Sequence, residues 1–112
     1  MSARRRRDQP LTYAPATEFT AAVGEWLELH RRRMGAHATW GWRPRADWRE
    51  HGIRLLAERA GLNRALVHRV ADGEVDFVTV RQADRLSVAL DVPLRCLAED
   101  FRPLAEWQEV LA

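Results

Sequence analysis

Apolar residues recur at the helical period of about 3.6 over most of the chain. From Thr17 to Arg33 the positions Phe19, Val23, Trp26, Leu27 and His30 fall on one face, with Thr17 placed to cap the start. Arg31 to Arg33 lie in the last turn, where cations offset the helix dipole. This predicts a first helix that buries Phe19, Val23, Trp26 and Leu27. Asp47, followed three residues on by Glu50, has the form of a capping box opening the helix DWREHGIRLLAERA, which continues despite Gly52 and turns Trp48, Leu55, Leu56 and Ala60 inward. Leu56, Ala57 and Ala60 share a face, Gly61 stands where that helix must stop, and Leu62, Val67 and Val70 restart an apolar face beyond Asn63. Thr79 and Gln82 form another capping box for a helix ending near Asp91 and packed by Leu86, Ala89 and Leu90. Pro93 suits the first turn of a short helix carrying Leu94, Leu97 and Cys96. Pro103 opens LAEWQEVLA, in which Leu104, Trp107, Val110 and Leu111 form an apolar stripe on an otherwise acidic helix. The pattern predicts an all-α fold, a compact bundle of about five to six short helices.

Three segments lack this periodicity. Residues 1–16 carry the run Arg4, Arg5, Arg6 and Arg7, followed by Pro10 and Pro15, and read as a flexible basic arm. Such an arm is either a solvated tail or a strand of charge that tracks phosphates or a minor groove. Residues 34–46, MGAHATWGWRPRA, form an insertion loop in which Trp40, Trp42, Arg43 and Arg45 interleave aromatic and basic side chains. That composition serves either to cover the core or to stack on bases. His37 and His30 are seven residues apart and have no cysteine or nearby carboxylate to complete a metal site, so no metal is expected. The stretch from Gly73 to Val78 is a loop, made acidic by Glu74, Asp76 and the preceding Asp72.

The segment from Leu56 to Gly73, LAERAGLNRALVHRVADG, carries the strongest functional signal. Gly61 can take the left-handed backbone of a tight turn, and the Asn63 side chain can cap the helix that follows. The second helix then presents Asn63, Arg64, Ala65, His68 and Arg69 outward. The segment resembles the Cro/C1-type (XRE) helix-turn-helix family, whose framework positions are matched by Leu56, Ala57, Gly61, Leu62, Val67, Val70 and Gly73. The likeness continues from Thr79 to Asp100, where that family places two further helices, and covers about half the chain. It implies a lambda-repressor-like domain over residues 17–101 that binds double-stranded DNA. Asn63, Arg64, Ala65, His68 and Arg69 would be base contacts, and Arg54 with Arg4, Arg5, Arg6 and Arg7 phosphate contacts. Residues 102–112 would be a docking helix, packing on its own domain or across a homodimer.

The charge distribution fits that division. The formal net charge of the 112 residues is only +2, yet 14 Arg face 8 acidic residues through Asp72, and 4 face 8 from Gly73 onward. The first part suits a polyphosphate and the second solvent or another protein. Every basic residue is Arg, which reads as composition bias. Cys96 is the lone cysteine, so no internal disulfide forms, and it reads as a small core residue. No run approaches the ~18 apolar residues of a membrane span, and the basic start lacks a signal-peptide core, so a cytoplasmic protein is expected.

No phosphate-binding glycine loop, nucleophile with a base, or carboxylate pair is evident, so neither an enzyme nor a cofactor is expected. The function that the resemblance implies is a sequence-specific transcriptional regulator, a repressor that occupies an operator. Two alternatives stay open. One is an antitoxin or other protein-interaction module working through the acidic C-terminal half, and the other is a phage or recombination factor that shapes DNA.

Overall fold

The computed structural model describes residues 11–36 and 47–111. The basic run Arg4 to Arg7 and the residues Trp40, Trp42, Arg43, Arg45 and His37 lie outside them. Strand β1 (Thr12–Pro15) leads into α1 (Thr17–Ala36), followed by α2 (Trp48–Ala60) and α3 (Arg64–Ala71). Strand β2 (Phe77–Thr79) precedes α4 (Val80–Leu90) and the single turn α5 (Leu94–Leu97), and β3 (Arg102–Pro103) runs into α6 (Leu104–Leu111). The helical prediction holds in its main lines, but all-α does not. The three strands form an antiparallel sheet in the order β2-β1-β3, pairing Tyr13 with Thr79 and Thr12 with Pro103.

One core holds the helices together. Phe19, Val23 and Leu27 lie along a single face of α1 and are buried against Ile53, Leu56, Ala57 and Ala60 of α2, Val67 and Val70 of α3, and Leu86 and Leu90 of α4. Trp26 is half-buried at its edge, where its ring stacks on His30 at 5.6 Å between centroids and His30 stacks on His51 of α2 at 5.1 Å. A hydrogen bond of 3.0 Å joins His30 Nε2 to His51 Nδ1, so the partner of His30 is an imidazole of the neighbouring helix. Burial, then the charge of His51 and Arg33, pushes His30 below the usual imidazole range. Gly52 sits under this stack. A Cβ there would lie 2.7 Å from Leu27 Cδ2 and 3.0 Å from His30 Cδ2, so its missing side chain is what lets α1 and α2 approach.

Strand β1 corrects the reading of residues 11–16 as part of an arm. Ala14 is buried, while Tyr13 lies half-exposed with its ring edge-on to Phe77 at 6.5 Å. Pro15 pairs only toward β2, beyond the point where β3 ends, so no second neighbour calls for the N–H it lacks. The sheet also absorbs the end of the acidic loop after α3 and the start of the C-terminal segment. Trp107 donates its indole N–H to the Tyr13 carbonyl at 2.6 Å, and Arg102 lies over the same indole at 5.0 Å. Residues 102–111 therefore dock on the same chain through Trp107, while Val110 and Leu111 stay 57% and 59% exposed.

Other expectations shift locally. Helix α1 runs on to Ala36, three residues into the expected insertion loop. Asp47 stands at the start of α2 without a side-chain cap bond to the backbone, whereas the capping box of Thr79 and Gln82 forms in full at α4. Cys96 is exposed instead of buried. With α5 only one turn long, Leu97 takes the core-facing position and Cys96, the residue before it, points elsewhere.

Two glycine replacements should move stability in opposite directions. Gly61 has a φ of 65° and a Cβ there would meet Arg85 Nη1 at 2.5 Å, so Gly61→Ala should destabilise the fold by about 1–2 kcal/mol. Gly24, in mid-helix with nothing within 4 Å of an added Cβ, should instead stabilise it by about 0.8–1 kcal/mol as Gly24→Ala. Urea unfolding of the two variants beside the parent chain checks both signs.

Candidate nucleic-acid interface

The outward face of α3 begins with how α2 ends. Gly61 in the left-handed conformation donates to the Glu58 carbonyl, and Leu62 donates to the Ala57 carbonyl at 3.0 Å, which is the Schellman arrangement. Arg85 reaches over from α4 and places Nη1 at 3.4 Å from the carbonyls of both Ala60 and Gly61, so a cation rests on the negative end of α2. The chain then re-enters a helix at Asn63, whose Oδ1 accepts from the Ala65 N–H at 2.7 Å. Gly61 and Asn63 thus do what the sequence expects of them.

With Val67 and Val70 buried, the opposite side of α3 must face solvent, and Arg64, Ala65, His68 and Arg69 line one open recess there of about 530 Å³. Four of the five expected base contacts therefore share a single open patch of surface. Arg64 and Arg69 are exposed and have no ion pair or hydrogen bond among the described residues. Arg54 is likewise exposed, on α2. Its expected companions Arg4 to Arg7 lie outside the described residues.

Two expected contacts carry other duties. Asn63 commits one lone pair of its side-chain oxygen to the cap, which fixes the side chain against the Ala65 N–H and leaves its second lone pair and its amide N–H groups uncommitted by that bond. His68 is not an unengaged groove-facing ring. Its Nε2 lies 3.0 Å from Glu50 Oε1, and its Nδ1 lies 2.8 Å from Asp72 Oδ2. Asp72 in turn accepts from Arg49 Nη2 at 2.5 Å. The four side chains bridge the first turn of α2 to the last turn of α3. The hydrogen bond to Glu50, reinforced by the charge of Asp72, raises His68 above the usual imidazole range. The hydrogen bond from Arg49, reinforced by His68, holds the Asp72 carboxyl below the usual carboxylate range.

Part of this bridge had a sequence signal. His68 and Asp72 are four residues apart, the spacing at which helical side chains meet. Arg49 and Glu50 had none, because they come from a different helix. The same bridge alters the reading of the acidic loop after α3, since Asp72 is already neutralised by Arg49 and His68 and only Glu74 and Asp76 remain to oppose a phosphate. No protein-family model, curated protein or solved structure matches the chain. Among the described residues no group of three or more His, Cys, Asp or Glu is placed to hold a metal ion, and no helix is long and apolar enough to cross a membrane.

The cap at Asn63 can be separated from any contact it makes outside the protein. Asn63→Ala should lower stability by about 1 kcal/mol, and Asn63→Ser, which restores an oxygen, should recover most of it. Thermal unfolding followed by far-ultraviolet circular dichroism measures both. Equal losses in the two variants would show that the cap is not what Asn63 contributes.

Proposed function

We propose that the protein binds duplex DNA sequence-specifically, with α2, the Gly61 turn and α3 acting as a helix-turn-helix and α3 as its recognition helix. The observation that carries this reading is the pair Arg64 and Arg69, both exposed at one recess on the outer face of α3 and both without an intramolecular partner among the described residues. A guanidinium presents a planar fork of donors matched to guanine O6 and N7, and one such contact is worth ~1–3 kcal/mol of discrimination. Arg54 and the Arg4 to Arg7 run supply phosphate contacts that position the protein without reading sequence. A transcriptional regulator that represses by occupying an operator follows as the biological role. In a dimeric form it would take a near-palindromic site whose half-sites lie about 34 Å apart.

A second reading has its own observation. Val110 and Leu111 remain exposed on α6, and Leu111 lines an open groove of about 700 Å³ with Pro15, Val75, Asp76 and Phe77. That groove includes neither Arg64 nor Arg69 in its lining, and its exposed apolar edge suits a protein partner of the kind an antitoxin would have.

Selection of bound duplexes from a random library at near-physiological salt should return a defined motif. The Arg64→Ala, Arg69→Ala double variant should lose it. Arg64→Ala alone should relax preference at one base position by ~1–3 kcal/mol. Replacing Arg4 to Arg7 with Ala should weaken binding to all sequences alike and flatten its dependence on salt. A uniform loss from both sets would overturn the division into base and phosphate contacts. No enrichment with folded protein would transfer the function to the α6 groove.

A further inference from the structure

The bridge between α2 and α3 poses a question of protons. A neutral imidazole has one N–H and one bare lone pair, so it can serve only one carboxylate as donor. His68 has a carboxylate at each nitrogen, Glu50 at 3.0 Å and Asp72 at 2.8 Å. Both contacts are attractive only for the imidazolium, whose hydrogen bond to Glu50 is joined by an ion pair with Asp72. After loss of either proton, a lone pair would face a carboxylate oxygen, and one of the two ties between the helices would turn repulsive.

The groups facing His68 are few. From α2 they are Glu50 and, through Asp72, Arg49; from α3 itself they are Asp72, with Arg64 a turn earlier and Arg69 alongside. Helix α1 packs on α3 too, but none of its charged side chains is paired with α3 among the described residues. While His68 holds both protons, the charges of Arg49, Glu50, His68 and Asp72 cancel. When it loses one, the group carries a net negative charge, and its His68 ring lines the same recess as Arg64 and Arg69. All other cations named at this surface are guanidinium groups, which keep their charge at any physiological pH.

We infer that His68 is the positioning residue of the recognition helix, and that its second proton both ties α3 to α2 and keeps the binding face compatible with phosphate, so that DNA binding weakens as that proton leaves. This regulation rests on the DNA-binding reading of α3. The direction of the effect follows from the bridge. His68 is raised in the folded chain above its ordinary 6.5. The stabilisation it provides is therefore complete below 6.5 and is lost as the pH rises through the raised folded value. The switch opens as the pH rises above the ordinary imidazole value.

Two measurements on the full chain test this, one without DNA and one with it. The first follows the His68 ring protons by NMR from about pH 6 to about pH 9, in the parent and in Glu50→Gln. The expected midpoint lies above 6.5 in the parent and falls in Glu50→Gln, and exchange of the α3 amides quickens above each midpoint. The second measures affinity for the selected duplex over the same range at constant salt. Affinity should fall several-fold through the parent's own His68 midpoint, and the fall should move to lower pH in Glu50→Gln. Affinity that is flat across the range, or a fall that ignores the Glu50 substitution, overturns the inference while leaving DNA binding in place. If no duplex binds at any pH, the DNA reading fails and the regulation with it. The ring titration still decides the positioning role, since a midpoint at the ordinary value in both proteins removes it.

Discussion

The direction in which α3 leaves α2 is settled over three residues, and the exposed face of α3 depends on it. Gly61 must reverse the backbone with a positive φ, Leu62 must close back onto Ala57, and Asn63 must start the next helix with its own side chain. A residue with a Cβ at Gly61 would meet the Arg85 guanidinium that covers the end of α2. The turn, the cap and the cation above them form one constraint. Only with that constraint in place do Val67 and Val70 enter the core and Arg64 and Arg69 stay out of it.

The bridge of Arg49, Asp72, His68 and Glu50 works on the same pair of helices from their other ends. The turn constrains them covalently at one end, and the bridge joins the first turn of α2 to the last of α3. An exposed ion pair is ordinarily worth little. Here the contacts are linked, and each of the two central groups has two partners, so orientation is what the network supplies. A short helix of eight residues has little stability of its own and needs both attachments.

Most of the helical framework was legible in the sequence because helices are local. The period of Phe19, Val23 and Leu27, the capping box of Thr79 and Gln82, and the pairing of Gly61 with Asn63 each lie within a few turns of chain. The sheet was not legible. Strand β1 has four residues and β2 three, too few to show alternation, and Tyr13 finds Thr79 only through the fold between them. At the site, the outward set on α3 could be read from the burial of Val67 and Val70, whereas the engagement of His68 with Glu50 needed the crossing of two helices. Cys96 was misread for a different reason: burial is a habit of cysteine, but a one-turn helix offers few inward positions and Leu97 takes one.

The indole of Trp107 and the carbonyl of Tyr13 are 94 residues apart in sequence and 2.6 Å apart in space. Closing so long a loop costs more chain entropy than any contact within the helices, and a contact of that kind is rewarded only after the intervening elements are in place. The helices around Phe19 and Leu56 can assemble on local contacts first, with β1 and α6 joining last. The clasp between β1 and α6 joins the two ends of the described chain. Opening that clasp would give up one indole hydrogen bond and two short strand pairings and would bare Ala14 to water.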